Sequence, residues 1–247
     1  KTIFLFFREI ILRILTEGRI VYTRNEYINA RSNNFFKKFR APILGYANNS
    51  IDTMKSLKLS ERYNPEARLD FVFIGRLTIK SKLELLIKAL SLSKHKYCIN
   101  IIGIENEQYE FFKDLAFKNG VINRLIWHKL SNNENFISSI MNKCRCFVYP
   151  GDVGLSLIHG MSYGLPAIIH DNKKHHNPEF SAFVNKYTGL IFKENDPESL
   201  SQIMDNLYFT NPMKLKYYSE NSLEVIKKDF SLDKMTDNFN KVFNQIL

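Results

Sequence analysis

The sequence is short of cysteine and of acidic side chains, and it has no long uninterrupted apolar run. Its 247 residues include three cysteines, Cys98, Cys144 and Cys146. Cys144 and Cys146 stand one residue apart on a predicted strand, a poor geometry for a disulfide. No cysteine or histidine spacing typical of zinc is present. A reduced, cytosolic setting is therefore expected. The first fifteen residues are apolar but are interrupted by Arg8, Glu9 and Arg13, whereas a membrane span needs about 20 apolar residues. Basic residues inside that run, with no small-residue cleavage site after it, fit a secretory leader poorly. The chain opens on Lys1 and not on Met, so it is expected to be part of a longer protein. Walker, Gly-x-Ser-x-Gly and common nucleic-acid-binding patterns are missing, and no nucleic-acid partner is expected.

Acids number 25 against 35 bases, a net charge of +10. Such an excess suits a phosphorylated small molecule or an anionic membrane face. It also arises without any partner in a chain rich in Lys, Asn and Ile throughout. Apolar residues make up 45%, enough for one large core or two small ones.

What is present centres on Tyr149-Pro150-Gly151-Asp152-Val153-Gly154-Leu155-Ser156, which continues through His159 to Gly164-Leu165-Pro166. An apolar run, Cys146 to Tyr149, ends at Pro150 and Gly151, which interrupt a strand. Leu155, Ile158 and Met161 then recur at helical spacing, and Gly164 and Pro166 stop the run. Strand, glycine-bearing loop and helix start follow one another. Free N–H groups at a helix start favour an anion such as a phosphate, with Gly151 and Gly154 permitting close approach. An ordinary strand-to-helix turn reads the same way.

Elsewhere strands and helices alternate. Strands are expected at 19–23, 43–46, 69–74, 97–102, 125–128, 145–149, 167–170 and 190–192. Helices are expected at 3–15, 26–39, 82–93, 109–118, 133–142, and from Pro197, behind the cap Asp196, through the rest of the chain, including 221–228 and 232–246. The polar stretch Asn48 to Asp52 is the predicted boundary between a segment 1–47 and a domain 48–247. This alternation implies an α/β fold with a doubly wound parallel sheet, whose ligands sit outside the carboxyl ends of the strands. The loops after Ile74, Ile102 and Tyr149 then share one crevice.

Arg76, a planar fork suited to diphosphate, lies at one such strand end, with Lys80 and Lys82 shortly after it. The other reading is a solvated basic loop. His159 could bond a hydroxyl or be a satisfied core histidine. Asp152 could bond a sugar hydroxyl or close an Asx-turn. The loop from His170 holds Asp171, Asn172, His175, His176 and Glu179. Adjacent histidines in a loop match no usual ligand spacing, so no metal is expected. Glu179 either bonds a hydroxyl or complements a helix start.

Asn49-Ser50-Ile51-Asp52, Phe73-Ile74-Gly75-Arg76-Leu77, Tyr149 to Pro166 and Thr188 to Phe192 occur in an order that resembles the carboxyl-terminal half of retaining GT-B glycosyltransferases of the large family 4 (glycosyl transferases group 1). The resemblance covers roughly residues 45–247. It implies a Rossmann-like donor-binding domain with residues 1–47 as a remnant of the acceptor-binding domain, and final helices packing back toward that remnant. It further implies a UDP- or GDP-linked sugar as substrate, no metal and no other cofactor. Arg76, a lysine (Lys80 or Lys82), and the backbone of Gly154, Leu155 and Ser156 would hold the diphosphate. His159, Asp152, Asn172 and Glu179 would hold the ribose or the sugar. Two glutamates eight positions apart mark the common family pattern, and here those positions read Gly151 and His159. A branch seen in bacterial polysaccharide clusters is similar to Gly-Asp-Val-Gly-Leu with His159, Asn172, Pro178 and Glu179, so His159 is read as replacing a ribose-binding glutamate. The usual family lysine falls on Ser81. The implied activity is transfer of a hexose-type sugar to a lipid-linked surface glycan such as capsule or lipopolysaccharide, at the cytoplasmic membrane face. The alternatives are a truncated or split nucleotide-binding module without turnover, and a GT-B sugar-nucleotide epimerase, which the His159 and Gly154 pattern disfavours.

Overall fold

A computed structural model describes residues 7, 10, 11, 14–16, 18–32 and 43–246. The expected helix 3–15 lies largely outside them, as does the second half of the helix expected at 26–39. A small parallel pair comes first: β1 (Arg19–Val21), α1 (Arg24–Ser32) and β2 (Ile43–Tyr46). α2 (Thr53–Leu59) leads into a six-stranded sheet. Its strands are β3 (Asp70–Ile74), β4 (Ile99–Ile104), β5 (Leu125–Lys129), β6 (Cys144–Val148), β7 (Ala167–His170) and β8 (Gly189–Phe192). All pair in parallel, in the order β5-β4-β3-β6-β7-β8.

Helices α3 (Leu83–Leu92), α4 (Asn106–Lys118), α5 (Glu134–Met141), α6 (Leu155–Ser162), α7 (Pro197–Tyr208), α8 (Pro212–Asp229) and α9 (Leu232–Ile246) complete the chain. α3 packs with α4 and α7, whereas α6 packs with α2 and α8 and α2 with α5. The sheet is thus covered on both sides, which is why its central strands carry apolar runs, Phe71–Ile74 in β3 and Cys146–Val148 in β6. Phe71, Val72 and Phe73 of β3 and every residue of β6 are buried. Each fully buried large side chain contributes about 1.5–3 kcal/mol relative to exposure. No helix among the described residues is long and apolar enough to cross a membrane.

Most expected elements stand within a few residues of their predicted bounds. Helix α2 was not anticipated: it is seven residues long and too short for a clear period. Asp52, read as a turn, is its cap and accepts from the Met54 N–H at 3.2 Å. Helix α8 starts at Pro212, within the stretch expected to be helical, because Asn211 caps it and Pro212 occupies its first turn. α9 runs back against β2, and a side chain at Gly45 would strike Val242. Asn48 ties the linker to the end of α8 by donating to the Asp229 carbonyl at 2.8 Å.

β3 and β6 lie side by side at the centre, and their helices α3 and α6 leave to opposite faces. This is the switch point of the sheet. The strand ends there nearly touch. A Cβ on Gly103 would lie 2.0 Å from the Gly75 carbonyl oxygen, and Gly103 has φ +125. Gly103→Ala is expected to cost about 3 kcal/mol in urea unfolding, from strain plus displaced backbone. Gly120→Ala (φ +69, no neighbour within 4 Å) is expected to cost about 1 kcal/mol, from the left-handed backbone alone. Equal losses would contradict this packing.

Candidate functional site

Two clefts flank the start of α6. The first, about 350 Å³, is lined by Gly75, Arg76, Glu134, Leu155, Ser156 and His159, among others. It opens at the carboxyl ends of β3 and β4. The second, about 260 Å³, is lined by Tyr22, Asn49, Gly154, Leu155, Asn177 and Glu179. Leu155 belongs to both. Gly154 offers α6 no side-chain cap, so its first N–H groups remain available. Ser156 sits in the first turn with its Oγ against Gly75. Arg76 is exposed at the rim.

The loop before α6 is held from behind. The Asp152 N–H donates to the Lys80 carbonyl at 3.0 Å, and a Cβ on Gly151 would lie 1.8 Å from that same oxygen. A Cβ on Gly154 would lie 2.9 Å from the Asn177 amide nitrogen. Gly151 is thus required by a backbone neighbour, whatever ligand approaches, whereas the neighbour of Gly154 is the end of a side chain that can move aside. Ser81, at the position of the family lysine, is fully buried and closes its own turn: its Oγ accepts from the Thr78 N–H and donates to the Thr78 carbonyl.

His176 stands behind Val153. Its Nδ1 accepts from the Val153 N–H at 3.1 Å and its Nε2 donates to the His170 carbonyl at 2.9 Å. The first bond requires an unprotonated Nδ1, so the two together require the neutral ring. Burial pushes its pKa down to about 4. The ring stacks between His170 and Phe180, at 3.8 and 4.7 Å. Burial lowers His170 as well; its Nε2 points at Asp152 Oδ1, 3.4 Å away.

The candidate residues fall into three groups. Arg76, Leu155, Ser156 and His159 share the first cleft, and Gly154, Leu155 and Glu179 share the second. Lys82, Asp152 and Asn172 gather instead around Glu194. Lys82 Nζ lies 3.2 Å from Glu194 Oε1, and Asn172 Nδ2 donates to Oε2 at 2.7 Å. Asp152, His175 and Glu194 lie close enough to share a cation. Hydrogen bonds from Asn172 and His175, together with Lys82, hold Glu194 down to about 2 against a smaller upward push from burial. Lys80 is exposed and lines neither cleft. His159 is not free either: its Nε2 bonds Glu134 Oε1 at 2.8 Å. Glu179 is 5% exposed; Oε1 accepts from the Asn49 amide, and buried Oε2 has no partner.

Glu134 and Asn49 were not anticipated as site residues. Glu134 reads in sequence as an ordinary acid in the first turn of a helix. The available signal was its position, since its helix follows β5 and opens on the crevice shared by the other strand ends.

Residues 57–224 match the profile of the family described as glycosyl transferases group 1. The chain belongs to that family. It is 23% identical over 252 residues to an uncharacterised glycosyltransferase of Methanocaldococcus jannaschii, an alignment covering 94% of this chain and 62% of that protein. Among solved structures, a Rickettsia africae glycosyltransferase superposes with TM-score 0.74 at 13% identity, over 93% of this chain and 63% of the other. Sucrose-phosphate synthase of Thermosynechococcus elongatus gives 0.75 at 14%, over 100% and 62%. Anabaena HepE, solved with UDP and glucose, gives 0.71 at 12%, over 99% and 68%. These likenesses establish the GT-B type of α/β fold. The chain spans under two thirds of the length of the curated relative it matches.

Keeping His176 neutral makes this group 1 glycosyltransferase chain sensitive to acid. Its folded value lies near 4 and its ordinary value at 6.5, so between them the unfolded chain binds more protons and stability falls as pH falls. Burial lowers His170 and His128 in the same direction. The midpoint of urea unfolding is expected to drop from pH 6.5 to 4, and less steeply in His176→Gln. Parallel slopes would show that His176 does not carry this effect.

Proposed function

We propose that the chain is the donor-binding part of a retaining, family 4 glycosyltransferase that uses a UDP- or GDP-linked hexose. One observation carries this reading: a fixed cation, Arg76, and the uncapped start of α6 line a single cleft at the switch point of the sheet. Such a pairing suits a diphosphate. The cleft has the volume of a small-ligand site. HepE, which shares the fold, was solved with UDP-glucose, in support of a nucleotide-sugar donor.

In this reading the diphosphate lies between Arg76 and the N–H groups of Leu155 and Ser156. The sugar extends into the second cleft, where the free Oε2 of Glu179 accepts a hydroxyl. Transfer breaks the bond from the sugar's anomeric carbon to the phosphate oxygen and forms one to an acceptor oxygen on the same face. The acceptor's proton passes to the departing phosphate. The acceptor domain lies upstream, residues 1–47 are its last part and residues 48–247 form the donor domain. The acceptor is a lipid-linked bacterial surface glycan. The basic excess holds the enzyme peripherally at the cytoplasmic membrane face, where each basic residue near anionic lipid contributes about 1 kcal/mol. Neither a metal nor another cofactor takes part.

Calorimetric titration with UDP and GDP tests the donor site. One of the two is expected to bind, and Arg76→Ala, with unchanged circular dichroism, to weaken it about tenfold or more through loss of a charge-assisted contact. A folded chain that binds neither nucleotide would contradict the proposal.

A further inference from the structure

Among the described residues the first cleft has a single acidic side chain in its lining, Glu134. It comes from α5 and not from α6, the helix that carries His159. Glu134 opens α5 just after β5. Its Oε1 accepts from His159 Nε2 at 2.8 Å and from the Tyr163 hydroxyl at 2.6 Å. The side chains of Glu134 and His159 are only 15% and 14% exposed. Both bonds fall on one oxygen, and no hydrogen bond from a described residue reaches Oε2. Burial works to raise the acid, but His159, Tyr163 and Lys55 lower it overall, so the group is a carboxylate at neutral pH. A carboxylate only accepts, hence His159 Nε2 donates to it. His159 therefore spends its Nε2 proton inside the protein.

A carboxylate is repelled by diphosphate, so Glu134 marks the part of the cleft that takes the uncharged portion of the ligand. The cleft's lining also includes Ile74, Ile102 and Ile137, apolar side chains that suit the face of a base. The second cleft, with Tyr22 and Asn49, adjoins the linker and suits the transferred sugar. We propose that Glu134 holds the ribose hydroxyls of the donor nucleotide through Oε2, and that His159 and Tyr163 are positioning residues for that carboxylate. The role expected of α6 has moved to α5, with α6 supplying donors in place of the acceptor. This assignment rests on the nucleotide-sugar reading above, and it adds a requirement for the ribose diol.

The test compares UDP with 2′-deoxy-UDP, and GDP with 2′-deoxy-GDP, on the 247-residue chain by calorimetry. The unmodified chain is expected to prefer the ribose form by about tenfold or more, since the deoxy form removes one of the two hydroxyls offered to a charged, mostly buried acceptor. In the isosteric Glu134→Gln that preference is expected to shrink to about twofold, because a neutral amide gains far less from a hydroxyl. Tyr163→Phe is expected to retain binding with a reduced preference. A merely structural glutamate would weaken both forms alike and leave their ratio unchanged, so full preference in a folded Glu134→Gln overturns the assignment. Absence of discrimination in the unmodified chain also overturns it. Failure of the folded chain to bind either ribonucleotide overturns the underlying reading, which sets that failure apart.

Discussion

Three backbone segments converge at the switch point with no room for side chains between them, and the rest of the structure depends on that convergence. The Gly75 carbonyl fills the place of a Gly103 side chain, and the Lys80 carbonyl fills that of Gly151. The end of β3, the end of β4 and the loop after β6 are thereby locked together. Tyr149 stacks on Phe73 at 4.8 Å and seals the floor below them. Because β3 and β6 send their helices to opposite faces, the locked ends leave a crevice above the sheet. The first turn of α6 is delivered into it with Ser156 against Gly75. A ligand cradle made of backbone N–H groups needs this rigidity, since its groups cannot re-aim by rotating side chains.

Around this frame the charged groups are arranged by partner and not by chain proximity. Glu194 draws Lys82, Asn172 and His175 to one side. That cluster joins the loops after β7 and β8 to the start of α3, and it saturates a lysine that would otherwise be a candidate for phosphate. On the other side His159 and Tyr163 hold Glu134. Arg76 remains exposed at the rim of the first cleft, and no described residue pairs with its guanidinium. Arg76 is therefore the cation of the first cleft that is left available where the proposed diphosphate enters.

Much of the fold was legible because parallel strands covered on both faces must be continuously apolar. Runs such as 71–74 and 146–149 read as buried strands, and glycine and proline mark their ends. α2 escaped because seven residues establish no period. The site was legible where it is local: Arg76 and Gly154 to Ser156 stand beside strand ends. It was not legible where it is made by distant pairs. Glu134 meets His159 across 25 positions, and Lys82 meets Glu194 across 112. Local charge patterns made Lys80 and Lys82 look alike, yet one is exposed and the other is committed to an ion pair.

The most direct test of the donor site follows the backbone amides by nitrogen-15 NMR during titration with UDP and with GDP. Saturable shifts centred on Gly75, Arg76, Leu155 and Ser156 are the predicted result, with smaller ones at Glu134 and little change around Lys82 and Glu194. Shifts centred on the Lys82 and Glu194 cluster, with the start of α6 unmoved, would contradict a diphosphate seated between Arg76 and the α6 N-terminus.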